Sequence, residues 1–438
     1  MKEVVENKQR SAIYNKSILW FKLFSVAGFA QIIVQGIGLV SGILIIRLLS
    51  TQEYALYTLV NTVLGTMTIL ADGGIGTSVL AQGGKVWKDP VKLGTVLVTG
   101  FHLRKRFAVI SLLITTPALL YLLIHNKATW FEAGLTVAAL IPAFTAQLSD
   151  SLLELAPKLQ QDIKPLQINQ ISVGVLRLIL ITVLIFFFPF AYIAIIATGI
   201  PRAWGNYRLR KISKGYANWD QKPDNAVKEE IYKVVKRLMP TGIYYCISSQ
   251  VSIWLISLFG STTAIAQIGA LGRLSILLTI LTNLINQLII PRFARLPNTN
   301  PRMLTKRYLQ TQGILVIIIL LTVGAVWLWP HQILWIIGKK YANLEKELVL
   351  TMLSSCVTFM AGVSFTLYTS RGWAIAPYVS IPINIFAISI AAWLLDVGTV
   401  QGVLLLNIFT ALVQVVMNSG YILRKISKLK DVDPQLAV

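Results

Sequence analysis

Charge is what this sequence has least of. Only 13% of its 438 residues are Asp, Glu, Lys or Arg, about half the share usual in a soluble globular chain. So sparse a set excludes a surface that faces water on all sides. Acidic residues are scarcer still, 18 against 40 Lys plus Arg, for a formal net charge of +22. Cysteine is nearly absent. Cys246 and Cys356 both lie inside apolar runs, which excludes a disulfide framework or a paired-cysteine zinc site and makes small buried hydrophobes the simpler reading. The three histidines, His102, His125 and His331, stand in separate segments, so no HExxH site exists. There is no GxxxxGK[ST] loop and no GxSxG elbow, which excludes a built-in P-loop ATPase and an α/β-hydrolase nucleophile. Loops are short on the side expected to face outward, so an enzyme is not expected.

What the chain has in excess is apolar sequence. Hydrophobic residues make up 55% of it and the mean hydropathy is +0.67. Runs of about twenty apolar residues recur from end to end, each long enough to cross about 30 Å of hydrocarbon. The expected fold class is an all-α polytopic membrane protein of about twelve transmembrane helices in two six-helix lobes. The pattern predicts helices near 18–48, 51–74, 100–124, 129–153, 166–188, 190–210, 229–259, 263–290, 308–329, 347–369, 375–396 and 401–423. The first sixteen residues are polar, and the run behind them is too long for a signal-peptide core, so it is expected to stay as the first helix. No lipidation motif stands at either end.

An even number of crossings puts both termini on one side. Most of the 40 basic residues fall in segments on that side, whereas the opposite side carries Arg47, Lys127, Lys339, Lys340 and Lys346. Such asymmetry orients both termini toward the cytoplasm, and it explains the positive charge by topology without nucleic acid. The most polar stretch, 208–237, divides six helices from six. The expected domains are a lobe at 1–215, a cytoplasmic linker at 216–228 and a second lobe at 229–438. A short polar turn follows the first helix of each half, at 49–57 and at 259–267, as a parallel internal repeat would place it.

Charges at membrane depth are the informative residues. Arg177 lies ~16 Å into the fifth helix and Arg273 ~15 Å into the eighth, at 1.5 Å per residue. Burying Arg there costs at least ~2.5 kcal/mol. Arg202 lies deep in the sixth helix and Arg47 closes the first. The functional reading is a cationic cavity for an anion, since guanidinium pairs bidentately with phosphate; the plainer one is an ion pair or carbonyl clamp between helices. Asp72, Asp150 and Glu154 are candidates for coupling to a proton or sodium gradient, for pairing with Arg177, or for capping helix ends. The amides Gln31, Gln35, Asn61, Gln250, Asn283, Asn286 and Gln287 suit either sugar hydroxyls in a cavity or helix-to-helix stitching. Gly28, Gly36, Gly38 and Gly42 permit close packing or a bend in the first helix. Pro201, Pro240, Pro377 and Pro382 are kink candidates.

These residues carry a resemblance. Arg47-Leu48-Leu49-Ser50-Thr51-Gln52-Glu53-Tyr54-Ala55-Leu56-Tyr57, followed one helix later by Asp72-Gly73-Gly74-Ile75, resembles the start and end of helix two in Wzx-type oligosaccharide flippases of the multidrug/oligosaccharidyl-lipid/polysaccharide (MOP) exporter superfamily. Ala55 stands where that pattern more often has glycine. Arg177, the Ala266-Gln267 and Gly272-Arg273-Leu274 stretches, the six-plus-six plan and the length also fit. The resemblance covers nearly the whole chain. It implies a MATE/MOP-like pair of lobes around a cationic cavity. The implied activity is alternating-access movement of an undecaprenyl-diphosphate-linked oligosaccharide across the bacterial cytoplasmic (inner) membrane, for O-antigen, capsule or exopolysaccharide assembly. Expected partners are the polyprenyl-diphosphate lipid, membrane lipids and a polysaccharide polymerase, with no cofactor and no metal. The expected substrate-binding set is Arg177, Arg273, Arg47, Arg202, Gln31, Asn61 and Gln250. The alternative is an ion-coupled multidrug exporter of the same superfamily, whose cavity should be acidic or aromatic.

Overall fold

The structure is a computed structural model that describes residues 31–290, 293, 296, 300–371, 373 and 375–429. Gly28 lies outside the described residues. The described residues are mainly helical, with no strand among them. In chain order the N-terminal helices are α1 (Gln31–Leu48), α2 (Thr51–Asp72), α3 (Ile75–Val86), α4 (Pro90–His125), α5 (Trp130–Leu153), α6 (Leu155–Leu159), α7 (Lys164–Phe187) and α8 (Ala191–Lys214). They are followed by α9 (Asn225–Phe259), α10 (Thr262–Gly272), α11 (Ile276–Leu288), α12 (Pro301–Leu328), α13 (Pro330–Ile337), α14 (Glu345–Thr369), α15 (Pro377–Leu394) and α16 (Val400–Ser427).

Helix starts follow local chemistry. Ser261, Asn300 and Thr399 accept the amides of Ala264, Met303 and Gly402, which satisfies donors the helix itself leaves open. Proline opens α12, α13 and α15, where its missing N–H is no loss. The turn from α2 to α3 is made by Gly73 (φ 48) and Gly74 (φ 92), a left-handed pair that side chains resist.

Ten helices among the described residues are long and apolar enough to cross a membrane, so the chain is a multi-pass membrane protein. Two expected crossings fall outside that set for physical reasons. The sixth is α8, which from its midpoint on carries Arg202, Asn206, Arg208 and Arg210. The eighth, expected as one helix over 263–290, is broken into α10 and α11 by a 3₁₀ turn at Arg273–Ser275. Several helices outrun their apolar segments. α4 begins at Pro90 rather than near 100, α9 at Asn225 rather than near 229, and α12 at Pro301 rather than near 308. Hydropathy marks only the portion that lipid would cover, whereas the backbone stays helical past it into polar sequence.

The chain divides into two compact units. Unit 1 holds residues 31–44 of α1, Met67–Thr116 and Leu135–Gly242. Its core joins Ile75 and Val79 of α3, Leu93 and Leu97 of α4, Leu152 of α5 and Ile231 and Val235 of α9. Residues 216–219 pack into that core through Ala217 and Trp219. Asn218 donates its amide to Pro90 O at 2.9 Å. The approach is so close that a side chain on Gly94 would overlap the Asn218 carbonyl. The Tyr216 hydroxyl donates to Asp162, and that bond to a carboxylate holds the phenol above its ordinary pKa. The first part of the stretch read as a linker is thus docked on unit 1.

Unit 2 holds Ile45–Thr66, Pro117–Gly134 and the residues from Ile243 onward. Its densest packing runs along α14, against α16 and α12. Leu304, Tyr308 and Leu315 meet Cys356, Phe359, Val363 and Leu367, with Ile422 and Ile426 closing the layer. Polar bonds pin the same faces. Tyr308 bonds Ser419 at 2.7 Å, Gln312 donates to Ser364 at 3.0 Å, and Asn418 donates to the Ala361 carbonyl at 3.1 Å. In lipid, small residues and interhelical hydrogen bonds do the work that the hydrophobic effect does in water. Cys246 and Cys356 are both free and buried.

Candidate functional site

The candidate residues fall in both units. In unit 1, Arg177 stands near the middle of α7 and is half-buried. Its Nη2 lies 3.7 Å from where a Cβ on Gly38 would be, so α1 turns bare backbone toward this guanidinium. Gln31, at the first described position of α1, is exposed, and Gln35 is half-buried.

Two of the three acids are spent on arginines. Asp150 of α5 accepts from Arg202 Nε at 3.4 Å and from Asn206 Nδ2 at 2.8 Å, both on α8. Arg202 also reaches Gln147 Oε1 at 3.1 Å. α5 and α8 are therefore stitched by one polar cluster, and Arg202 rather than Arg177 is the Asp150 partner. The arginine side chain is 40% exposed, so the pair is open to a polar ligand as well as to its partner.

Asp72 takes a different role. It forms an ion pair with Arg104 of α4 and accepts the amides of Gly74 at 3.3 Å and Gly76 at 3.1 Å. Arg104, 3% exposed, also donates to the Leu148 carbonyl at 2.7 Å and to Ser151 Oγ at 2.5 Å. A cation in such a place requires a counter-charge and carbonyls around it, and Asp72 supplies the charge from the α2–α3 turn. Glu154 pairs with Lys158 at 2.6 Å and accepts from Gln170 at 3.4 Å.

In unit 2, Arg273 begins the 3₁₀ turn between α10 and α11, with its guanidinium beside the side chains of Tyr54 and Tyr57 of α2. Those tyrosines are three apart and share a helix face. α10 and α2 come close enough that a side chain on Gly269 would touch Thr58. Arg47 is exposed. It donates Nε to the Ile336 carbonyl at 3.0 Å and Nη2 to the Trp335 carbonyl at 2.7 Å, and it lies 5.4 Å from the Trp335 ring. It clamps the last carbonyls of α13, where cations are favoured. Asn61 donates to Tyr57 O of its own helix at 2.7 Å, and Gln250 of α9 is half-buried. Asn283, Asn286 and Gln287 belong to α11, but their side chains lie outside the described residues. Among the described residues no group of His, Cys, Asp and Glu is arranged to hold a metal ion.

Sequence reading missed Arg104, because His102-Leu103-Arg104-Lys105-Arg106 reads as a basic cluster at the cytoplasmic end of the third helix. The available signal was Asp72, an acid in need of a cation. It also missed Asn206 and Gln147, whose proximity is purely tertiary. Tyr54 and Tyr57 were in view, as part of the stretch that opens α2, with no sign of what they face.

No family model matches the sequence. No curated protein matches it either. Solved structures do. The fold is similar to the inward-facing conformation of a multidrug resistance MATE family transporter of the MOP superfamily, at 15% identity with a TM-score of 0.67, covering 92% of this chain and 96% of that one. A eukaryotic MATE transporter, AtDTX14, is similar at 15% identity with a TM-score of 0.61, covering 94% of this chain and 98% of that one. A MOP superfamily transporter from Pyrococcus furiosus, described as having reverse polarity of its binding pocket and a different function, matches at 15% identity with a TM-score of 0.53, over 92% and 95% of the two chains. The architecture is thus a MATE-like fold along nearly its whole length.

Proposed function

We propose that this protein is a MOP-type membrane transporter that moves a polyprenyl-diphosphate-linked oligosaccharide between leaflets by alternating access. The observation that carries the reading is two arginines at positions where the sequence expects membrane depth: Arg177 in the middle of α7, toward which Gly38 of α1 turns its backbone, and Arg273 at the break between α10 and α11, beside Tyr54 and Tyr57. Guanidinium groups at that depth suit a diphosphate. The lipid tail would remain in the bilayer, and an ion gradient would drive the cycle. Asp150, with Arg202 beside it, is the candidate for coupling. The protein would lie in a bacterial cytoplasmic membrane with both termini in the cytoplasm and would pass its product to a polysaccharide polymerase.

The second reading, a multidrug exporter, is favoured by the description of two structural neighbours as multidrug resistance MATE family transporters. Charge separates the two. An exporter of organic cations gains nothing from arginines at membrane depth, whereas an anionic headgroup does.

The test is leaflet translocation of a labelled undecaprenyl-diphosphate oligosaccharide in proteoliposomes. The wild type should move it. Arg177→Ala and Arg273→Ala should slow it by about tenfold or more, equivalent to 1.4 kcal/mol or more, with Lys variants intermediate. Failure of the wild type to move the lipid, together with export of an organic cation, replaces the first reading with the second.

A further inference from the structure

Unit 2 encloses a cavity of about 690 Å³ between α9, α10, α11, α14, α15 and α16, within the range of about 300–1,000 Å³ usual for small-molecule sites. No charged residue lines it among the described residues. Its polar wall is built mainly of hydroxyls, and most of these have already used their proton. Ser248 donates to the Tyr244 carbonyl at 2.7 Å, Thr279 to Ile276 at 2.6 Å, Thr282 to Leu278 at 2.8 Å, Thr366 to Gly362 at 2.9 Å and Thr410 to Leu406 at 3.0 Å. A hydroxyl that donates to its own helix has only lone pairs left to offer. Asn384, 2% exposed, adds to this. Its Nδ2 is bound to the Ser380 carbonyl at 2.8 Å, while its Oδ1 accepts no hydrogen bond. A buried acceptor without a partner is uncommon and calls for one.

The wall is therefore neutral and rich in acceptors, and the side-chain amides of Asn407 and Gln414 are its main remaining donors. Phosphate, which calls for cationic donors, finds none among the described residues of the wall. A bare divalent cation needs carboxylates or many oxygens around it, and none of the acids lies here. A neutral polyol does fit. Its hydroxyls donate to the wall, and its C–H faces match Ile253, Phe359, Val363 and Ile388, which complete the lining. We propose that this cavity is a subsite for neutral sugar units. That the sugar arrives on a lipid diphosphate rests on the function proposed above; sugar recognition itself rests on the wall.

Gly362 of α14 gives the means to test it. It lines the cavity, and a Cβ added there would meet no atom within 4 Å. Gly362→Leu therefore fills the space without displacing a helix, and Gly362→Ala is its control. The full-length protein in lipid nanodiscs is exposed to two neutral photoreactive probes, diazirine derivatives of maltotriose and of chitotriose, and the labelled peptides are mapped. The expected result is labelling on α14 and α16 that unlabelled trisaccharide competes away, that Gly362→Ala keeps and that Gly362→Leu lowers by about tenfold. The proposal is overturned if neither probe gives competed labelling, if Gly362→Leu leaves labelling unchanged, or if only sodium or tetraphenylphosphonium competes. Translocation of sugar-free undecaprenyl diphosphate is measured in parallel. If that lipid moves but sugar labelling fails, the subsite falls and the flippase reading stands. If labelling behaves as expected while neither lipid moves, the subsite stands and the flippase reading falls.

Discussion

The ion pairs of this protein differ in burial, and burial sets what each contributes to the fold. Arg104 is enclosed, paired with Asp72 and bound to a carbonyl. Removing its counter-charge strands a buried cation, which costs several kcal/mol in a fully buried pair. Since the Asp72 side chain is 31% exposed, Asp72→Asn should lower stability by at most about 3 kcal/mol. The Lys158 side chain, 49% exposed beside Glu154, is the contrast. Lys158→Ala should cost less than about 1 kcal/mol, as exposed ion pairs do. Chemical and thermal unfolding in detergent measures both. Equal effects for the two would show that Arg104 relaxes toward water and that the Asp72 turn is not its anchor. The residue scale also shows where sequence reasoning stopped. Asp72, Asp150 and Arg202 were singled out from the sequence, but Arg104, Asn206 and Gln147 were not. An ion pair depends on which helices touch, and hydropathy along one chain carries no information about that.

At the scale of elements, the approach of α1 to α7 governs the environment of Arg177. Gly38 presents backbone at a distance where one methyl makes ordinary contact with Nη2. Gly38→Ala should therefore leave translocation unchanged. Gly38→Leu occupies the volume the guanidinium holds and should slow translocation about tenfold, the deficit expected of Arg177→Ala, while expression and unfolding stay near wild type. A Leu variant as active as wild type would remove Arg177 from the path of the substrate. The break between α10 and α11 belongs to the same scale. Arg273 was expected inside a continuous helix and instead starts a 3₁₀ turn. The sequence holds no proline there to announce it. The nearest signals, Gly269 and Gly272, are compatible with either outcome. By contrast the paired helices α14 and α16 were legible as apolar runs, because their lengths match the hydrocarbon they cross.

For the whole molecule, the distribution of basic residues makes a prediction that the fold does not test. With Cys246 and Cys356 both buried, cysteines introduced at exposed positions can be labelled selectively. Lys88→Cys and Asp220→Cys should react with a membrane-impermeant maleimide only from the cytoplasmic side. Lys127→Cys and Lys339→Cys should react only from the opposite side, since charge bias orients the loops. The reverse pattern would invert the topology, and the direction of transport proposed here with it. The match to MATE structures at 15% identity over 92% of the chain shows how little of the fold depends on particular side chains. A repeating series of apolar segments, separated by polar turns, is what the sequence supplies toward it.

That series is what the sequence determined by itself. It set the class, the approximate crossings, the neutrality of the membrane-facing surface and the residues whose charge is out of place, because each follows from transfer of one segment between water and lipid. The tertiary structure decided which charges neutralise each other, which hydroxyls have spent their protons, and where glycine leaves room beside a guanidinium or inside a bundle. Those facts arise when helices far apart in sequence come within a few ångströms. The energies involved are pairwise and short-ranged, so they exist only once the neighbours are in place.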